Sequence, residues 1–478
     1  MTDITHIPPI IQGGMGVQIS SWRLAREVAC AGQLGVVSGT AMDLVLARRL
    51  QDGDTGGHYQ RALAHFPDQS MADRALARYY VPGGLASGTS YRPIPRLIVK
   101  PQRTSLELAV LGAFAEVWLA KEGHTGLVGI NLLEKIQMAV PSTVFGAMLA
   151  DVDVVLVGAG VPRKLPSTLS SLAAGKAIAY DIDVAGAPDG QHAVTLDPAD
   201  LLGRSLPLLN RPVFLAIVSS HVLATYLARE ESIRPDGFVV EASPAGGHNA
   251  PPRRPEVDEY GDVVFGPRDE PDPAKFVALG LPFWLAGGFG TPEGMIAARD
   301  LGARGIQAGT VFALAEESGM RPDLRRRLLA SIDTDALAVR TSAVASPTGF
   351  PFKVVELAGT ITDPVVYADR ARQCDLSFLR SVYAKDDGSL GYRCAAEPEH
   401  MYVRKGGQAE ETIGRVCVCN GLSATVGIGQ HRTDGYQEPS LVTLGTNLEG
   451  PRRLFQQFPD GWTARNVINW LRCTSGAV

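Results

Sequence analysis

The stretch Leu285–Ala313, LAGGFGTPEGMIAARDLGARGIQAGTVFA, decides how this chain folds. An apolar run ends in Gly287, Gly288 and Gly290. Thr291 then stands where its side chain can cap a helix beginning at Pro292, whose missing N–H costs nothing at a first helical position. One helix later a second apolar run ends in Gly309 and Thr310. Working outward, the same grammar recurs: PPIIQGG (Pro8–Gly14), LGVVSGT (Leu34–Thr40), LVGINLL (Leu127–Leu133), VDVVLVGAG (Val152–Gly160), VFLAIVSS (Val213–Ser220), DGFVVEA (ending at Ala242), PFWLAGG (ending at Gly288) and RGIQAGT (ending at Thr310). Most of these runs lack polar alternation, so they read as strands of a parallel sheet buried on both faces. Eight of them separated by helical segments predict an α/β (β/α)8 barrel. In such a barrel the turns after strands seven and eight form a phosphate cradle of backbone N–H groups, and here both are glycine-rich.

Three segments depart from the pattern. KAIAYDIDV (Lys176–Val184) is a ninth strand candidate, read as an excursion between strands four and five. Residues of about 48–100 predict a helical insertion after strand two, and about 315–362 a small helical segment after the barrel. The domain reading is therefore a barrel over 1–362 and a C-terminal, cysteine-containing region over 363–478.

Composition narrows the partners. The 478 residues are 45% hydrophobic and 20% charged, with a net charge of -5, so no polycationic footprint exists for nucleic acid or an anionic membrane. The N-terminus has no basic segment before an apolar run, and PVFLAIVSSHVLATYLA is too polar to span a bilayer. The expectation is a cytoplasmic protein with a small-molecule substrate, and a homo-oligomer is left open. Six cysteines in so long a chain are reduced thiols rather than a disulfide framework. Cys374, Cys394, Cys417 and Cys419 are candidate ligands for zinc or an iron–sulfur cluster, although their spacing forms no C-x-x-C knuckles and buried unpaired thiols are the competing reading.

The stretch FVVEASPAGGHNAPPRR places His248 directly behind Gly246 and Gly247, where the backbone can approach another molecule closely. With IIQGGMG, GINLL, VEASPAGGH, LAGGFG and IQAGT at strands one, three, six, seven and eight, the chain resembles the nitronate monooxygenases, formerly 2-nitropropane dioxygenases, and the related FMN-dependent enoyl reductases. The resemblance runs over about Pro8–Gly359. One departure is Ser243-Pro244 where the family more often has an acidic residue before Ala-Gly-Gly-His.

That resemblance implies FMN across the C-terminal mouth of the barrel. Its phosphate would rest on Gly287, Gly288, Gly309 and Thr310, and its ring beneath Gly13, Gly14 and Met15. Asn131, and Ser219 or Ser220, would touch ring or substrate, Asn131 being equally readable as a strand-end turn. Gly246 and Gly247 would lie against the flavin with His248 over it. An imidazole of ordinary pKa could then act as a base or, protonated, hold an anion. Arg253 and Arg254 read either as a clamp for an anionic group or as a solvated charge run. The expected reaction is oxidation of alkyl nitronates with O2 to carbonyl compound and nitrite. NAD(P)H-dependent enoyl-thioester reduction is the alternative in the same cofactor class, and a flavin-free isomerase or lyase the alternative outside it.

Overall fold

In the computed structural model, which describes residues 3–205 and 207–473, eight parallel strands close on themselves. They are β1 (Ile10–Gln12), β2 (Gly35–Ser38), β3 (Val128–Leu133), β4 (Val154–Gly158), β5 (Val213–Val218), β6 (Gly237–Glu241), β7 (Phe283–Ala286) and β8 (Gly305–Ala308). Each pairs with its sequence neighbour, β8 pairs with β1, and Gln12 N donating to Leu34 O (3.0 Å) joins β1 to the start of β2. The barrel predicted from the apolar runs is thus the fold.

Residues two apart on a strand point to the same side. Ile11, Val36, Val154, Leu156, Val213, Leu215, Val239 and Trp284 therefore fill the barrel interior as one cluster, while Ile10, Val37, Val155, Phe214, Phe238, Val240 and Leu285 belong to the larger cluster around it. Helices cover the outside, among them the 19-residue Arg103–Lys121, whose apolar run is buried almost throughout. The insertion supplies helices His58–Leu63 and Gln69–Tyr79. Among the described residues no helix is long and apolar enough to cross a membrane.

The ninth strand candidate lies outside the barrel as read: Ile178–Asp181 pairs antiparallel with Ala193–Leu196. The segment of about 315–362 is helical over only about a quarter of its length. After helix Pro322–Asp333 come two antiparallel strands, Val339–Ser342 and Phe352–Val355, because their β-branched and aromatic residues pack on a barrel-mouth loop rather than forming another helix.

The C-terminal residues do not stand apart. Val184–Ala185 pairs with Ser381–Ala384, and buried Trp462 donates through Nε1 to Val311 O at 2.7 Å. Leu441, Leu444, Val467 and Leu471 join the same apolar cluster as Ile10 and Val37.

Candidate active site

At the C-terminal ends of the strands lies a cavity of about 240 Å³. It is lined by Gly13, Gly14, Met15, Asn131, Gly246, Gly247, His248, Gly287, Gly288, Gly309 and Thr310, so the fold brings most of the residues singled out in the sequence to one place.

The turn after β1 is pinned from below. Gln12 Nε2 donates to Gly13 O (2.6 Å) and Ser20 Oγ (2.8 Å), Ser20 Oγ donates to Gly13 O (2.8 Å), and Met15 N donates to Ser20 Oγ (3.0 Å). Opposite it, Gly287 and Gly288 turn the chain with φ of +83° and +95°, a region that L side chains rarely enter. Thr291 Oγ1 accepts from Gly294 N at 3.0 Å, so the predicted cap is formed. Between the two turns, Asn131 donates through Nδ2 to Gly14 O (3.1 Å) and Gln307 lies beneath Gly13. Asn131 Oδ1 and Gln307 Oε1 are buried without a partner. Two orphaned acceptors facing one cavity are a standing cost that a ligand's N–H groups would remove. Gln307 was not singled out in the sequence, although a polar residue inside the otherwise apolar β8 was the available signal.

The close approach anticipated at Gly246 exists, but the partner is the chain itself. A Cβ there would sit 2.9 Å from Leu444 C and 3.0 Å from Gly445 N. A C-terminal strap crosses the mouth and is tied to three barrel loops: Gly247 N donates to Thr443 Oγ1 (2.9 Å), Gly445 N to Thr310 Oγ1 (3.0 Å), Thr446 N to Pro244 O (3.0 Å) and Asn447 Nδ2 to Gly288 O (3.3 Å). Phe378, Leu379, Val418, Leu422 and Leu441 add an apolar wall.

His248 lines the cavity as expected, yet its chemistry differs. Its Nε2 is 2.7 Å from Ser346 Oγ, and its ring meets Phe352 edge-on at 4.7 Å. Burial, and then the positive charge of Lys135, push its pKa down to about 3, so the imidazole is neutral near pH 7 and does not hold an anion as a cation. Glu241, at the end of β6, also lines the cavity. Burial raises its pKa to about 7 against the opposing pull of Lys353 and Lys135. Lys135 is itself lowered to about 7 by burial, with Nζ 3.3 Å from the centre of the Phe350 ring and no hydrogen-bond partner. Glu241 and Lys135 were missed because, in sequence, they are ordinary charges at the end of a strand and the start of a loop.

Several expectations are corrected. Ser220 does not reach this cavity: its Oγ accepts from Val222 N (3.2 Å) and caps helix His221–Arg229, and Ser219 and Ser220 line a second cavity behind β6. Arg253 lines that second cavity too, and neither it nor Arg254 lines the first. The thiols of Cys394, Cys417 and Cys419 are pushed up by burial, Cys417 to about 12, and all three also feel Cys374. Of the four, Cys419 lines the cavity wall. Among the described residues, however, no group of three or more His, Cys, Asp or Glu side chains is placed to hold a metal ion, so the zinc or iron–sulfur expectation finds no ligand set.

Against known proteins, the family model for nitronate monooxygenase matches residues 212–350. A probable nitronate monooxygenase from Staphylococcus haemolyticus is 33% identical over 78 residues, spanning 16% of this chain and 22% of that protein. Among solved structures, FabK from Thermotoga maritima is 18% identical with a TM-score of 0.46, covering 98% of this chain and 92% of its own. A nitroalkane oxidase from Streptomyces ansochromogenes is 14% identical with a TM-score of 0.44, covering 97% and 94%. The matched segment, less than a third of the chain, holds β5 to β8, the Gly246-Gly247-His248 loop and both cradle turns, and over it the chain is similar to the nitronate monooxygenases.

Proposed function

We propose that the protein is an FMN-dependent oxidoreductase that oxidises alkyl nitronates with O2 to carbonyl compound and nitrite. The observation that carries the cofactor reading is the pair of orphaned acceptors, Asn131 Oδ1 and Gln307 Oε1, facing the glycine turns of β7 and β8 across one cavity. Gly287, Gly288, Gly309 and Thr310 would hold a phosphate, and Asn131 or Gln307 would accept from the N–H of the flavin ring. When bound, FMN supplies the redox chemistry, taking electrons from substrate and passing them to O2. The chain's own part is to exclude water beneath the strap, orient the substrate against neutral His248, and move a proton. Glu241, with its pKa raised to about 7, replaces His248 as the candidate base for neutral nitroalkanes, since a base works best near the operating pH.

A second reading, NAD(P)H-dependent enoyl-thioester reduction, is favoured by the apolar wall of Phe378, Leu379 and Leu422, which suits an acyl chain better than a compact nitronate. Heat release and mass determination should identify FMN, and a colourless protein would leave the flavin-free isomerase or lyase. Stopped-flow mixing under argon then separates the two flavin readings. Rapid bleaching by propyl nitronate with slow bleaching by NAD(P)H is expected, and the reverse pattern transfers the assignment to the reductase.

A further inference from the structure

The loop that carries His248 is zipped to the hairpin of Val339–Ser342 and Phe352–Val355. Asn249 N donates to Pro351 O and Lys353 N to Gly247 O, each at 2.9 Å, and His248 pairs antiparallel with Phe352. The turn of that hairpin brings the fully buried Ser346 to His248, with Oγ 2.7 Å from Nε2. The C-terminal region holds the turn in place: Arg415 Nη1 donates to Val344 O (2.8 Å) and Ser346 O (2.5 Å), and Val416 N to Ala345 O (2.9 Å). With Nε2 occupied, the nitrogen left to the first cavity is Nδ1, which has no partner among the described residues and is not sealed off by protein.

Whether Nδ1 offers a hydrogen or a lone pair depends on the Ser346 hydroxyl, because the bond made by one ring nitrogen of a neutral imidazole sets the protonation of the other. Burial keeps the ring neutral near pH 7. Ser346 Oγ has one proton and two lone pairs. It accepts from Thr348 N at 3.3 Å, and its bond to Thr348 Oγ1 at 2.8 Å can run either way. If the Ser346 proton goes to Nε2, the Thr348 hydroxyl fills the second lone pair, every hydrogen of the chain is used, and Nδ1 carries an N–H. If it goes to Thr348 instead, Nε2 carries the ring hydrogen and the Thr348 proton meets no acceptor among the described residues. Nδ1 then faces the cavity as a bare lone pair, which repels the oxygens of an anion.

We propose that Ser346 is a positioning residue: it donates to Nε2 and so holds His248 in the tautomer whose Nδ1–H is an uncharged donor to an anionic oxygen of the substrate. Only the identity of that anion rests on the nitronate reading, since the tautomer is set by the chain itself.

Nuclear magnetic resonance of the holoprotein, isotope-labelled at its histidine ring nitrogens, reads the tautomer directly, with the His248 signals identified by their absence from His248→Ala. Expected are a protonated Nδ1 and a bare Nε2. The same pattern should persist in Thr348→Val, where Nε2 is the only side-chain acceptor left for the Ser346 proton. Ser346→Ala should mix the two tautomers and raise KM for propyl nitronate about three- to tenfold, as for one lost neutral hydrogen bond, with kcat held within about twofold. A protonated Nε2 in the unmutated protein overturns the proposal, and its conversion to a protonated Nδ1 by Thr348→Val would show the hydroxyl chain running the other way. A Ser346→Ala protein with either its tautomer or its KM unchanged overturns it as well. If propyl nitronate fails to bleach the flavin, the reaction reading falls, and the tautomers of the unmutated, Thr348→Val and Ser346→Ala proteins still decide the role of Ser346.

Discussion

At the residue scale, the exchange of roles between His248 and Glu241 has a measurable consequence. A base must be deprotonated to act, so turnover of neutral nitroethane should rise as pH increases through about 7, where Glu241 loses its proton, and then level off. His248, with its pKa near 3, contributes no inflection in that range. Glu241→Gln should therefore lower the rate with nitroethane by about 10²- to 10⁴-fold and abolish the pH rise, with much smaller losses on preformed nitronate. His248→Ala should lower both substrates alike, as expected of a positioning group. A larger loss on nitroethane for His248→Ala than for Glu241→Gln would return the base role to the histidine. The phosphate cradle is best probed at Gly309, whose φ of -110° any residue can adopt, rather than at Gly288, where a new side chain strains the backbone by itself. Gly309→Asp sets a carboxylate against the proposed phosphate, so a folded protein purified without flavin is the expected outcome, and full flavin content would move the phosphate elsewhere.

At the element scale, the strap over Thr443–Asn447 explains which glycine readings were legible. The turns after β7 and β8 were readable because capping and left-handed backbone are local events, encoded within a few residues of Thr291 and Gly287. Gly246 was recognised as a point of close approach, but its partner sits almost 200 positions away in sequence, and a pattern of apolar runs carries no record of such a contact. His248 is similar: its type and loop position were visible, whereas its pKa depends on burial and on Lys135, which arrive through tertiary packing. The strap's role predicts the effect of Gly246→Ala. The added methyl would meet backbone atoms of Leu444 and Gly445, which cannot rotate aside, so a loss of about 1–3 kcal/mol is expected from overpacking. Thermal denaturation should show a lowered midpoint, and the bound flavin should dissociate faster because the same strap ties down Thr310 and Gly288. An unchanged midpoint with unchanged flavin release would mean that the strap yields freely.

At the scale of the whole molecule, the eight strands were legible because both faces of each are buried, which leaves unbroken apolar runs in the sequence. The same property hid which residues point into the barrel, since alternation in space leaves no alternation in polarity. The boundary near residue 362 was drawn where apolar density falls, and that density counts residues without knowing what they cover. Leu441, Val442, Leu444, Trp462, Val467, Ile468 and Leu471 are each at most 2% exposed, and Ala464–Arg472 packs against the first barrel helix, Trp22–Cys30, and against Pro292–Asp300. Burying a large apolar side chain is worth about 1.5–3 kcal/mol, so these seven together represent roughly 10–20 kcal/mol before entropy is subtracted. A domain's whole net stability is about 5–15 kcal/mol. A chain ending at residue 362 should therefore fail to form a stable barrel: it should be insoluble on expression, or bind a hydrophobic dye and melt without a cooperative transition. A soluble, monodisperse 1–362 fragment that melts cooperatively and retains stoichiometric flavin would show instead that the barrel is self-sufficient and that the C-terminal residues only roof the site.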